Sequence, residues 1–169
     1  MPNDRFRDRY RISSPRLLGW NYAKSGWYFV TICTKNRNHY FGDIVTMPDG
    51  IAGMELGLAG DIALREIMAL KTRRPNINVD TFVVMPNHVH LLIQLGKQNN
   101  SALGVIIGQL KAGITRWVTD AGMTDFAWQE RFHEKILRYG LGVDEVRAYI
   151  RNNPKQWLKD RNNPLGIYM

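Results

Sequence analysis

The sequence predicts an α+β fold of the ferredoxin-like, RRM-like kind: an antiparallel sheet with helices packed on one face. Three observations predict it. Extended and helical segments follow in the order strand, helix, strand, strand, helix, strand, helix, which matches such a sandwich. Residues 88–95 place Val89, Leu91, Ile93 and Leu95 on one side of an extended chain, so one sheet face is apolar. Residues 58–73 and 103–118 carry apolar side chains at mixed three- and four-residue spacing, so each offers a stripe to that face.

Each element has a local reason. Residues 27–34 are aromatic and β-branched and form the first strand. Residues 41–45 and 51–55 flank Pro48-Asp49-Gly50, a turn signal, and read as a hairpin excursion. The helix over 58–73 is closed by Pro75. Residues 79–84 form a strand, Met85-Pro86-Asn87 breaks it, and the strand over 88–95 ends at Gly96. The helix over 103–118 contains Gly104, Gly108 and Gly113, which lower its propensity but permit close packing. A last strand is expected over 132–138, and a short helix over 143–153 with Asp144 near its N-cap and Pro154 at its end. The segment from Lys155 is basic and has room for one more helical turn.

No repeat or linker divides the 169 residues, so the expected organisation is a basic arm (1–24), one domain (25–161) and a short tail (162–169). The net charge of +8 and pI near 9.8 favour a polyanionic partner, nucleic acid first and an anionic membrane surface second. Arg5, Arg7, Arg9, Arg11 and Arg16 make the arm a DNA clamp or a solvated tail. The single Cys33 excludes an intramolecular disulfide and a thiolate-rich metal site, and suits a reducing compartment. No apolar run approaches the roughly 20 residues that span a bilayer, and the first residues lack an apolar signal region. A cytoplasmic, nucleoid-associated protein is expected.

His88 and His90 lie two apart on a strand, so both imidazoles face away from the apolar side and together can hold one divalent cation. They need a further N or O ligand from elsewhere. Alone, the pair reads more readily as two histidines on a surface face than as a metal site. Tyr149 and Asn153 are four apart and share one side of the helix over 143–153, beside the stripe of Val146 and Ile150. Tyr149 is then a boundary aromatic with its hydroxyl in water, or a nucleophile activated by a neighbouring cation. If that helix packs beside the histidines, the Asn153 amide oxygen supplies a third ligand.

Met85-Pro86-Asn87-His88-Val89-His90-Leu91-Leu92 resembles the histidine–hydrophobe–histidine signature of the HUH single-strand endonucleases. Trp128-Gln129, Phe132-His133-Glu134 and Ile136-Leu137-Arg138 resemble the segment that precedes the nucleophile in REP-associated tyrosine transposases. Tyr149-Ile150 with Asn153-Pro154 resembles their nucleophile helix, and Trp27-Tyr28-Phe29-Val30-Thr31 their first strand. The blocks run in order from Trp27 to Trp157. The resemblance implies a single-tyrosine transposase related to the IS200/IS605 group. It would cut and rejoin single-stranded DNA, near hairpins of repetitive extragenic palindromes, through a 5′-phosphotyrosine and a divalent metal, Mg²⁺ or Mn²⁺. His88 and His90 are then ligands and Tyr149 the nucleophile. Asn153 stands where insertion-sequence relatives have a Gln, with a shorter reach. REP-associated relatives imply a monomer, insertion-sequence relatives a dimer.

The expected DNA contacts are Arg5, Arg7, Arg11 and Arg16 in the arm, Lys111 and Arg116 on the second helix, and Gln129 and Arg131 near the site. Two other functions stay open on the residues: a non-catalytic single-stranded nucleic-acid-binding module, and a metal-dependent nuclease with water as nucleophile. The hairpin excursion and Tyr139-Gly140-Leu141-Gly142 stand outside the resemblance.

Overall fold

The computed structural model describes residues 5–6, 9–10, 21, 25–160 and 162. Its strands are β1 (Arg5–Phe6), β2 (Arg9–Tyr10), β3 (Gly26–Cys33), β4 (Gly42–Thr46), β5 (Ala52–Leu56), β6 (Ile77–Met85), β7 (His88–Leu95) and β8 (His133–Leu137). Its helices are α1 (Leu58–Arg73), α2 (Leu103–Asp120) and α3 (Val143–Asn152), followed by a 3₁₀ helix over Pro154–Lys159. The central sheet has the order β6-β7-β3-β8, and every pair in it is antiparallel. β4 and β5 form a separate hairpin. Each element from β3 to α3 falls within two residues of its expected place, whereas the β1–β2 pairing was not expected. In the arm only the short β1–β2 pairing is described; Arg7, Arg11 and Arg16 lie outside the described residues.

The sheet has two different faces. On one, Tyr28, Val30 and Ile32 of β3 and Val89, Leu91 and Ile93 of β7 are buried against Ile62, Ile67 and Leu70 of α1 and Ile106, Leu110 and Ile114 of α2. Burying each such aliphatic side chain contributes about 1.5–3 kcal/mol, so this layer holds most of the stability. The two long helices thus cover one face, as expected. The short α3 lies across the other. There Leu92, Leu137, Val143 and Ile150 form a second cluster with Phe29, Val83 and Val146 around it.

A β-bulge fixes α3. The β6–β7 register shifts between Val79 and Thr81, which gives β6 an extra residue and re-aims a side chain. The residue is Asp80. Both of its carboxylate oxygens accept from Arg147 of α3, at 2.7 and 2.8 Å, and Thr81 Oγ1 donates to it at 2.8 Å. Arg147 also donates to Asp144 at 2.8 Å. The Arg147 guanidinium, more than the opposing cost of burial, holds the Asp80 carboxyl below the usual carboxylate range. The helix that carries Tyr149 is therefore tied to the sheet by aliphatic packing and a forked ion pair.

The hairpin is joined to the core by close approach. Gly42 has φ +137°, and a Cβ there would lie 2.0 Å from the Glu55 carbonyl oxygen, so only glycine fits. Phe41, fully buried, brings the hairpin onto Phe126 and Trp128.

Candidate metal centre and nucleophile

The histidines are positioned by strand register and by a tight turn. β6 and β7 are joined through Pro86 and Asn87, with Met85 opposite His88. Across the sheet, Cys33 is opposite His88 and Thr31 is opposite His90. Both imidazoles lie on the α3 side and both are buried, at 0% and 2% exposure. His88 Nε2 and His90 Nε2 are 3.1 Å apart.

Their outer nitrogens are held by neighbours. Asn87 is fully buried, and its Nδ2 donates to the carbonyl oxygens of Arg37 (3.1 Å) and Asn162 (2.6 Å). That fixes the amide orientation and leaves Asn87 Oδ1 facing His88 Nδ1 at 2.9 Å. An amide oxygen only accepts, so His88 Nδ1 bears the proton and neutral His88 keeps its Nε2 lone pair inward. Thr31 Oγ1 holds His90 Nδ1 at 2.8 Å. The Trp157 ring stacks on His88, centroids 6.0 Å apart, and walls the site on the 3₁₀ side.

One oxygen donor joins the histidines, and a second buried oxygen lies at the end of α3. Asp160 follows the 3₁₀ helix and is buried; its Oδ2 lies 3.6 Å from His88 Nε2, and its Oδ1 accepts from the Asn162 backbone N–H at 2.8 Å. Donor atoms of His88, His90 and Asp160 all fall within 4.8 Å of one another. Asn153, the C-cap of α3, is 2% exposed. Asn153 Oδ1 and Asp160 Oδ2 are buried without a hydrogen-bond partner, an expensive state for an amide oxygen and more so for a carboxylate.

These residues fit a divalent cation. Two imidazole nitrogens about 2.0–2.1 Å from one ion, at roughly a right angle, stand about 3 Å apart, close to the 3.1 Å observed. A cation there would also satisfy the orphaned Asp160 Oδ2. Imidazole with carboxylate is a mixed N,O donor set of the kind that divalent metal ions take.

Tyr149 lies beside this cluster. Its ring meets His90 edge-on at 5.4 Å and Phe29 at 5.8 Å, and the residue is 40% exposed. It lines an open cleft with Phe29, Lys135, Leu137 and Arg138. Of the residues expected at the site, His88, His90 and Tyr149 are brought together, because α3 packs on the histidine side. Sequence reasoning missed Asp160, whose signal was an acidic residue two before Asn162 in a basic tail, an Asx-turn pattern.

The expected DNA contacts divide. Gln129 donates its backbone N–H to Cys33 at 2.9 Å, next to the histidine end of the sheet, and Arg131 is exposed just before β8. Lys111 and Arg116 are on α2, which packs on the opposite face. Lys111 Nζ donates to the Gln129 carbonyl at 2.8 Å, and burial pushes its ammonium down in pKa against the pull of Glu130. The Arg116 guanidinium lies 4.9 Å over the Trp117 ring. The side chain of Arg5 lies outside the described residues.

Residues 23–153 match the family described as IS200-like transposases. The chain belongs to that family. It is 30% identical over 168 residues to an uncharacterized protein of Haemophilus influenzae, covering 88% of this chain and 91% of that one. Its fold is similar to that of a REP-associated tyrosine transposase solved bound to a REP hairpin, with a TM-score of 0.57 and 21% identity over 82% of this chain and 72% of that one. In the IS200-like chain described here, the histidine pair and Tyr149 both fall inside the matched residues.

Proposed function

We propose that this transposase is a metal-dependent single-stranded DNA endonuclease and strand transferase that acts through a 5′-phosphotyrosine on Tyr149. One observation carries the reading: a buried His88–His90–Asp160 cluster with the half-exposed Tyr149 ring packed against His90. His88, His90 and Asp160 would hold Mg²⁺ or Mn²⁺, with Asn153 Oδ1 as a further ligand. The bound ion supplies Lewis-acid polarisation and alignment of a phosphate. Asn87 and Thr31 keep the imidazole lone pairs inward.

Tyr149 Oη, with its proton lost to the solvent that reaches the cleft, attacks phosphorus. A P–O(Tyr) bond forms, the P–O3′ bond breaks, and the strand leaves with a 3′-hydroxyl after taking up a proton. One phosphodiester becomes another ester, so no nucleotide triphosphate is consumed. A second 3′-hydroxyl reverses the step and joins strands.

The substrate we assign is hairpin-bearing single-stranded DNA of REP type, on the likeness to the hairpin-bound transposase. Gln129, Arg131 and the arm arginines grip its phosphates. The protein works in the cytoplasm, at the nucleoid, as a monomer. Among the described residues no helix is long and apolar enough to cross a membrane.

Incubation with a hairpin oligonucleotide and Mn²⁺, followed by a denaturing gel, tests this. A covalent protein–DNA band is expected, mapping by mass spectrometry to the Tyr149 peptide and absent in Tyr149→Phe. That variant keeps the ring and its contacts, so stability should change by less than about 1 kcal/mol. Cleavage at the parental rate by Tyr149→Phe, with a free 5′-phosphate, would replace the tyrosine by water as nucleophile.

A further inference from the structure

Tyr139 is 98% exposed, and its φ is +55°. A bulky residue in the left-handed region is uncommon, and such strain gathers at functional sites. Among the described residues nothing covers the ring. Leu141, two residues on, is also 74% exposed. The segment joins β8 to α3, so it leads directly to the helix that bears Tyr149.

Two clefts meet there. One is lined by Trp27, Arg138, Tyr139 and Gly140; the other by Phe29, Lys135, Arg138, Leu141 and Tyr149. Arg138 borders both. Lys135 is directly opposite Phe29 in the β3–β8 register, so it stands on the Tyr149 side of the edge strand. Lys135 and Arg138 are exposed; Glu145, on the wall of the Tyr149 cleft, is the opposing acid. Exposed cations interleaved with exposed rings, along a groove, match the chemistry of an unpaired nucleic-acid strand: phosphates on the cations, bases on the rings.

We propose that Tyr139 is a stacking platform for an unpaired base, and that the strand runs from it past Arg138 and Lys135 into the Tyr149 cleft. The occupant is single-stranded DNA adjacent to the hairpin, and the inference rests on the nuclease reading above. The platform fixes which nucleotide lies a set distance from the scissile phosphate, so it sets register as well as grip.

The test places a fluorescent adenine analogue at successive unpaired positions beside the hairpin and titrates the full-length parent, Tyr139→Phe and Tyr139→Gly. Stacking should quench one or two neighbouring positions in the parent and in Tyr139→Phe, and neither in Tyr139→Gly. Single-strand affinity should fall about 5- to 100-fold in Tyr139→Gly and stay within about twofold in Tyr139→Phe. Glycine suits the local φ, so the melting temperature should not fall. A Tyr139→Gly protein that binds within about twofold of the parent, or keeps the quenching pattern, overturns the inference. The parental Tyr149 adduct is read on the same oligonucleotides. An adduct with an indifferent Tyr139 sinks only the platform; quenching that depends on Tyr139 without any adduct sinks only the nuclease reading.

Discussion

Replacing Asp160 by Asn should stabilise the metal-free protein and weaken the metal-loaded one. Asp160 Oδ2 is buried without a hydrogen-bond partner, 3.6 Å from His88 Nε2. The Asn87 oxygen takes the His88 Nδ1 proton, so that Nε2 presents a lone pair. With His88 neutral, the metal-free protein therefore sets a carboxylate oxygen 3.6 Å from that nitrogen, which already has His90 Nε2 at 3.1 Å. An amide keeps an oxygen for the Asn162 N–H and turns an NH₂ toward His88 Nε2. One unfavourable contact becomes a hydrogen bond, and a buried charge disappears. The gain should be about 1–2 kcal/mol, or about 2–8 °C for a domain of this size. With Mn²⁺ the order reverses. At a hundred times its dissociation constant, a ligand of the folded state alone stabilises by about 2.7 kcal/mol, or about 5–11 °C. The parent should show that shift. Asp160→Asn offers a neutral amide in place of an anion and should show less than about 2 °C. Calorimetric melting in chelator and in Mn²⁺ measures both. A metal-free Asp160→Asn protein that melts below the parent, or an equal Mn²⁺ shift in both, would refute the reasoning.

Other outcomes follow from particular contacts. Arg147 depresses the Asp80 pKa, so the pair's contribution is complete above about pH 4, the ordinary carboxylate value, and drains away as pH falls through the depressed one. Asp80→Asn should lower stability at neutral pH and flatten the acid limb of a stability–pH curve; an unchanged limb would show that the pair does not hold α3. A Cβ on Gly60 would lie 2.2 Å from the Phe41 carbonyl oxygen, so Gly60→Ala should cost about 1–3 kcal/mol despite its better helix propensity. Urea unfolding with an unchanged slope checks it, and a more stable variant would show that the hairpin yields. Single-strand affinity should fall with salt: three phosphates on Arg131, Lys135 and Arg138 give a log–log slope of about −2. Phosphates on the arm arginines would steepen it beyond that, and deleting the residues before Leu17 should bring it back toward about −2; an unchanged slope would return the arm to a solvated tail.

The regular elements were legible because each rests on local chemistry. Period-two alternation in β7 and the mixed three- and four-residue spacing of α1 and α2 fixed their type and buried side, and Pro86-Asn87 fixed the turn. What escaped needed long-range information. The Asp80 bulge is a register shift between two strands, and no local pattern marks it. Asp160 meets His88 only because the 3₁₀ helix returns the chain to the sheet, so a candidate ligand 72 residues from its partner left only an Asx-turn pattern. Asn87 was read as a turn residue; its work in orienting His88 depends on carbonyls from Arg37 and Asn162. The positive φ of Tyr139 could not be foreseen, since its neighbour Gly140 was the natural place for it.

The same strand serves both the core and the chemistry. In β7, Val89, Leu91 and Ile93 enter the α1–α2 layer while His88 and His90 face α3. Because alternation has period two, the paired imidazoles cost the larger core nothing. A one-residue slip would exchange the faces, driving two imidazoles among aliphatic side chains and turning Val89 and Leu91 toward Asp160. The register that buries the core is thus the register that assembles the site, and selection for either maintains both. Tyr149, the proposed nucleophile, is held differently. α3 rests on Val143 and Ile150, packed against Leu92 and Leu137, with the Arg147–Asp80 pair at its side. Its placement over His90 depends on few contacts, each on a different strand. Substitutions under α3 should therefore disturb the approach of Tyr149 before they disturb the fold, whereas substitutions under α1 or α2 should do the reverse.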